Sequence, residues 1–186
     1  MRFIVRFVGT CCIAAAGTAP ASVQACWEQA GQRHGVAPEL LYAIAGVESN
    51  LKPDAVNRSH RARTGTYDIG LMQINSSNLR GLARRGITEP ALYDPCTNID
   101  VGASLLADAF ARRGVTWDAV GSYNAACSQL KGEACTAARS KYAWLVYGRL
   151  VGVTALASAR GARQATRRPG PAEAQPVLIL SARVSP

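Results

Sequence analysis

The sequence predicts a mostly α-helical chain forming a single compact domain, interrupted by one polar stretch that reads as an irregular loop or short hairpin. Apolar residues recur at helical spacing in several separate segments. Those segments are bracketed by helix punctuation: proline or a side-chain cap at the start, glycine just past the end. No internal repeat and no strand-rich region competes with this reading.

Taken in order, the first residues read as an export signal. Arg2 and Arg6 supply a positive start, Phe7 to Ala16 an apolar stretch, and Val23-Gln24-Ala25 a small-x-small cleavage site. The apolar run is too short to span a bilayer. An uncleaved anchor and a lipidated Cys26 are the alternatives, although Val23 and Gln24 fit a lipidation box poorly. Cys26 to His34 then makes a short helix closed by Gly35. Pro38 suits a first helical position, and Leu40, Leu41, Ile44, Ala45 and Val47 form an apolar stripe that ends at Glu48. From Lys52 to Asp68 the character changes, with Pro53, Asn57, Ser59 and Gly65 scattered among basic residues; this is the irregular segment. Ser76 or Ser77 opens a helix that Gly86 ends, and Pro90 and Pro95 mark the next connection. Asn98 or Asp100 is the expected cap of a helix whose Val101, Leu105, Leu106 and Phe110 face inward, stopping at Gly114. Thr116 opens the helix carrying Trp117, Val120 and Tyr123. A last helix is expected from about Thr136 to Leu150, with Tyr142, Leu145 and Val146 on one side.

The domain therefore spans 26–150, between a 1–25 signal and a 151–186 tail. The tail is rich in Ala, Arg, Gly and Pro without apolar periodicity, a composition that buries too little surface to offset ordering entropy, and it reads as disordered. The formal net charge of +9 is unevenly spread: the signal carries +2, the tail +4 and the domain +3. A basic tail suits anionic lipid, wall polymer or DNA, but the plainer reading is a solvated tail. No basic-aromatic interleaving supports nucleic-acid binding, and none is expected. Cys11 and Cys12 leave with the signal. Cys26, Cys96, Cys127 and Cys135 remain, an even number that implies disulfides in an exported chain, with three pairings open. Cys127 and Cys135 are eight apart around a polar loop and can close locally, which leaves Cys26 with Cys96. A zinc site has little support: there is no Cys-x-x-Cys, and His34 and His60 are the only histidines. No metal or cofactor is expected.

Three blocks carry chemistry: Val47-Glu48-Ser49-Asn50, Tyr67-Asp68-Ile69-Gly70-Leu71-Met72-Gln73-Ile74-Asn75, and Ser122-Tyr123-Asn124-Ala125, followed by a late Tyr142. Singly they are weak. A Glu at a helix end is usually solvated, a Gly-containing turn is usually punctuation, Asn75 is more safely a helix cap, and a Tyr at helical spacing is usually core. In this order, across about 95 residues, they resemble the active-site blocks of lysozyme-like lytic transglycosylases (SLT domains), and the resemblance covers about Cys26 to Leu150. It implies an α+β lysozyme-like fold, periplasmic placement and peptidoglycan glycan strands as substrate. Glu48 would be the catalytic acid/base. Ser49, Gly70, Leu71, Met72, Gln73, Asn75, Tyr123, Asn124 and Tyr142 would bind or frame the sugar. The secretion-associated branch carries cysteines at places like Cys26 and Cys96, which supports that pairing, and its members suggest a type III or type IV secretion, conjugation or pilus apparatus as partner. One departure stands out: the family follows Tyr-Asn with Ala-Gly, whereas here Ala125 precedes Ala126 and Cys127.

Protonating a glycosidic oxygen near neutral pH requires a carboxyl group with a raised pKa. Carbonyl dipoles in the last turn of a helix disfavour a carboxylate, and apolar neighbours such as Leu71, Met72 and Tyr123 would desolvate Glu48. In the transglycosylase mechanism the same Glu48 then deprotonates the muramic 6-hydroxyl, which closes onto C1 to give a 1,6-anhydro end. The rival is a hydrolytic lysozyme in which Asp68 is a second carboxylate; retaining glycosidases, of which lysozyme is the standard example, hold two carboxyl groups about 5–5.5 Å apart. A catalytically silent wall-binding assembly protein is the non-enzymatic alternative.

Overall fold

The computed structural model describes residues 23–127 and 129–165. Residues 1–22 of the expected 1–25 signal and the tail beyond Ala165, including the apolar run Val177 to Leu180, lie outside the described residues, while Val23, Gln24 and Ala25 of the expected cleavage site form the start of the first helix. Helix α1 (Val23–His34) leads into α2 (Pro38–Glu48), where Pro38 occupies the first turn as expected. Leu41, Ile44 and Ala45 of α2 are fully buried. This apolar helix runs through the centre of the domain, against α1 and two helices described below.

Three two-residue strands follow: β1 (Val56–Asn57), β2 (Asp68–Ile69) and β3 (Ile74–Asn75), with a single helical turn α3 (Arg61–Thr64) between the first two. They form an antiparallel sheet in the order β1-β2-β3, with Asn57 opposite Asp68 and Asp68 opposite Asn75. Strand alternation sends Ile69 and Ile74 into the core and leaves Asn57, Asp68 and Asn75 as a polar row on the other face. The irregular segment is thus part of a three-stranded sheet.

After a 3₁₀ turn at Ser76–Asn78, α4 (Leu79–Ala83) is short. The Asn75 side chain accepts a hydrogen bond from the Ser77 backbone at 3.0 Å, the capping role expected of it. Helix α5 (Pro95–Arg113) begins earlier than the sequence reading placed it. Its cap is Asp94, whose carboxylate accepts from the Thr97 backbone at 2.8 Å, with Pro95 in the first turn. Asn98 and Asp100 are therefore inside the helix. Asp100 pairs with Arg33 at 2.7 Å and lies 3.0 Å from His34, docking the last turn of α1 on α5. Helix α6 (Trp117–Asn124) is capped by Thr116, which accepts from the Ala119 backbone at 3.2 Å.

Helix α7 runs from Gly132 to Ala165, well past the Leu150 end expected from composition. No proline interrupts the chain between Gly132 and Pro169, and alanine, the best helix former, recurs through the added turns. Tyr142, Ala143 and Val146 form its buried face, with Arg139 in phase; Leu145, expected inward, is exposed. Helix α7 packs on α2 and α6, and α5 packs on α1 and α6. Among the described residues no helix is long and apolar enough to cross a membrane.

The disulfides pair as expected, Cys26 with Cys96 and Cys127 with Cys135. The first ties α1 to the start of α5 and closes a 70-residue separation. A loop of that length removes about 4 kcal/mol of unfolded-state entropy in the chain-entropy model. Cys26→Ser should therefore lower unfolding stability by about 2–4 kcal/mol in denaturant titration, without changing the chemistry performed per folded molecule. Loss of activity at unchanged stability would reject this role.

Candidate active site

Glu48 is the last residue of α2, where the helix meets the edge of a cleft of about 900 Å³. The cleft lies between the polar row of the sheet on one side and α5, the end of α6 and the Cys127–Cys135 loop on the other. The Tyr142 hydroxyl, arriving from α7, donates to Glu48 Oε1 at 2.5 Å. Burial pushes the Glu48 carboxyl up from 4.5 to about 7, against the Tyr142 hydrogen bond, which favours the carboxylate; the negative charge of Asp68 adds to the rise. Glu48 thus exchanges its proton near neutrality, as a general acid that later serves as a base must. Tyr142 itself titrates far above the usual tyrosine range because of burial and Glu48, so it remains a donor.

The expected site residues separate into two groups. Glu48, Asp68, Gln73, Asn75, Tyr123 and Asn124 line the cleft. Ser49, Gly70, Leu71, Met72 and Tyr142 stand behind its wall. The Ser49 hydroxyl donates to the Leu71 carbonyl at 2.7 Å, pinning the end of α2 to the β2–β3 turn. Leu71 and Met72 are buried in the core, and the Tyr123 hydroxyl donates to the Met72 carbonyl at 3.0 Å, so Tyr142 and not Tyr123 holds Glu48.

The turn is locked from below. Gly70 has φ +76°, and a Cβ there would meet the Asn98 amide at 2.3 Å and the Leu92 carbonyl at 2.6 Å. The close approach its glycine permits is to Asn98, whereas the sequence reading assigned it to a sugar. Gly102, one turn farther along α5, lets Met72 lie directly on the helix. Asn98 is 1% exposed; its oxygen accepts from the Met72 backbone at 2.7 Å, and its amide donates to Ile69 and Leu92 carbonyls at 3.0 and 2.7 Å. Sequence reasoning took Asn98 for a cap and missed this clamp. The signal was present: Asn98 is in helical phase with Val101 and Leu105, where an unpartnered amide would be costly. Gln73, at φ +49°, spends its amide on the Gly70 and Ala55 carbonyls at 2.7 and 3.2 Å, leaving its oxygen for the cleft.

Asp68 is held on both oxygens. Asn75 donates to one at 2.8 Å and Asn57 to the other at 3.4 Å, with His60 at 3.7 Å. It acts on Glu48 through its charge. On the opposite wall, buried Arg139 donates to the Ala125 carbonyl at 3.1 Å and pairs with Asp118 at 3.2 Å, fixing the chain just after Asn124.

A family model described as "Transglycosylase SLT domain" matches residues 25–144. The chain is 42% identical over 134 residues to "Invasion protein IagB" of Salmonella typhimurium (strain SL1344), covering 70% of this chain and 79% of that protein. It is 37% identical over 131 residues to "Protein IpgF" of Shigella flexneri, covering 70% and 82%. Among solved structures, an inactive mutant of lytic transglycosylase Slt from Pseudomonas aeruginosa aligns with a TM-score of 0.53 at 22% identity. That alignment covers 71% of this chain and 24% of the other, and it shows a shared fold.

Two stability measurements test this geometry. Between pH 4.5 and about 7 the folded chain keeps the Glu48 proton that the unfolded chain releases, so stability falls as pH rises through that window. Glu48→Gln keeps an acceptor for Tyr142 and removes this loss. It should be the more stable protein by up to about 3 kcal/mol above pH 7.5, with the difference closing toward pH 4.5; a pH-independent difference would contradict a buried, raised carboxyl. Asn98→Ala strands one buried N–H and two carbonyls and should cost about 3 kcal/mol by chemical denaturation. A cost below about 0.5 kcal/mol, the range of ordinary surface substitutions, would remove Asn98 from the clamp.

Proposed function

The chain belongs to the transglycosylase SLT family, and on that premise we propose that it cleaves the glycosidic bond between N-acetylmuramic acid and N-acetylglucosamine in peptidoglycan, leaving a 1,6-anhydromuramic end. The observation that carries this reading is Glu48: a cleft-facing carboxyl raised to about 7 and oriented by Tyr142. Protonated Glu48 delivers its proton to the glycosidic oxygen as the C1–O bond breaks, while the muramic N-acetyl group stabilises the cationic sugar. The resulting carboxylate, with Tyr142 still donating to it, takes the proton of the same sugar's 6-hydroxyl as that oxygen bonds to C1. Glu48 ends as it began, and water is not consumed. An internal hydroxyl so placed reaches effective molarities of about 10⁵–10⁸ M, which favours cyclisation over attack by water.

Asp68 is the residue a hydrolytic mechanism would need. Both its oxygens already accept hydrogen bonds from the asparagines beside it in the sheet, an arrangement that suits a fixed charge and a sugar-facing acceptor better than a free nucleophile. On the cleft wall the Asn124 amide and the Gln73 oxygen remain for N-acetyl and hydroxyl partners, whereas Asn75 is engaged with Asp68 and Ser77 and shapes the wall. One relative is named an invasion protein. That name fits a local opening of the wall for an envelope-crossing secretion, conjugation or pilus apparatus, with the protein acting in the periplasm.

Mass spectrometry of fragments released from purified peptidoglycan checks the reaction. Anhydromuramic ends are expected from the parent protein, with at least about a thousandfold loss in Glu48→Gln, since general acid–base groups typically contribute 10²–10⁴-fold and both steps need the same group. Reducing ends would instead make the reaction hydrolytic and Asp68 a participant.

A further inference from the structure

The cleft carries two cations that neither the fold nor the reaction above uses. Arg63, on the turn α3 beside the sheet, and Arg112, in the last turn of α5, both line it and both are exposed. Their neighbours in sequence are committed. Arg113 pairs with Asp118 at 3.5 Å, and Arg61 and Arg58 lie over the Tyr67 ring at 5.3 and 5.6 Å. Among the described residues no carboxylate lies within ion-pair distance of Arg63 or Arg112. Nor do they tune the acid: Glu48 is set by its burial, Tyr142 and Asp68, with no guanidinium drawing its pKa down.

Position argues for a ligand role. Leu105, Ala109 and Arg112 follow one another at helical spacing along the face of α5 that forms the cleft wall, so Arg112 lies at the far end of that face. Arg63 reaches the same cleft from the sheet side, in company with His60 and Thr64. Two guanidiniums from separate elements, with no anion of their own, make a site for carboxylates, which their planar donor forks bind in bidentate fashion. A glycan of N-acetylated sugars is neutral along its backbone. In intact peptidoglycan the lactyl carboxyl of each muramic residue is consumed in an amide bond to the peptide, so the free carboxylates of the substrate are those on the peptide stems.

We propose that Arg63 and Arg112 form a subsite for stem-peptide carboxylates, making the enzyme selective for peptide-bearing strands over stripped ones. This rests on the peptidoglycan reading of the cleft and names the part of the substrate that the two arginines take. The subsite binds a group that moves little between the bound substrate and the reacting one, so its contribution falls on KM.

The experiment compares the full-length parent protein with Arg63→Ala, Arg112→Ala and the double variant, on intact sacculi and on strands freed of peptide by an amidase. Stripping leaves a lactyl carboxylate on each muramic residue, so the two substrates separate stem carboxylates from sugar-borne ones. The ratio of kcat/KM on intact to stripped strands should fall about five- to tenfold in the double variant, through KM, with each single variant intermediate. A ratio equal to the parent's overturns the proposal, whether both substrates are affected alike or neither is. Binding provides a second readout that needs no turnover. Glu48→Gln should sediment with intact sacculi in a salt-sensitive manner, and adding Arg63→Ala and Arg112→Ala should weaken this by a similar factor. Retained binding in that triple variant rejects the subsite, whereas weakened binding with no anhydro product from the parent would sink the transglycosylase reading and leave the subsite standing.

Discussion

A carboxyl group that must hold a proton near neutrality cannot sit in water, and the rest of this domain is arranged around that requirement. Helix α2 is buried along most of its length and brings Glu48 to the edge of the cleft at its carbonyl end, where both desolvation and the helix dipole oppose ionisation. Such a group is mobile in charge and must not be mobile in position. The Tyr142 hydroxyl fixes it from α7, and Ser49 fixes the backbone just beyond it by bonding to the β2–β3 turn. The turn is held in its own right by Asn98, which pairs with the Ile69 carbonyl and the Met72 N–H on either side of left-handed Gly70 and with the Leu92 carbonyl beneath it. Acid, turn and helix α5 are consecutive links of one hydrogen-bonded chain.

The three short strands serve the site more than the core. Two-residue strands give little stability by themselves. Their register places Asn57, Asp68 and Asn75 in one row, so the charge nearest to Glu48 belongs to a side chain that is itself braced on both sides. An unbraced Asp68 would present a wandering charge, and the proton affinity of Glu48 would wander with it.

Much of this was legible in the residues. The stripe from Leu40 to Val47, Pro38 at its start, the Thr116 cap and the Cys127–Cys135 closure follow from local chemistry, and local chemistry is what a sequence displays; the Cys26–Cys96 pairing came by elimination and resemblance. Glu48 and Tyr142 emerged because their blocks occur in an order that resembles a family. The misses share a cause. Asn98 and Asp100 both look like caps, and both are taken by contacts far away in sequence, Asn98 with Met72 and Asp100 with Arg33, while Asp94 does the capping. Gly70 looked like a place for sugar because nothing in its neighbourhood of sequence reveals Leu92 or Asn98 beneath it. Strands two residues long have no period to detect, and helix α7 outran its core because propensity continued after the apolar pattern stopped.

The hydrogen bond between Glu48 and Tyr142 joins residues 94 positions apart. Contacts of such long range close late, because the entropy of the intervening loop must be overcome first. Glu48 is laid down early in the chain, yet the packing of α7 that holds and helps bury it is not available until most of the domain has followed. A chain ending before Tyr142 therefore lacks both the hydroxyl that orients Glu48 and the helix face that packs on α2. The poised carboxyl is in this way tied to completion of the fold: the position and the proton affinity of Glu48 are set together, and only in a chain that has reached α7.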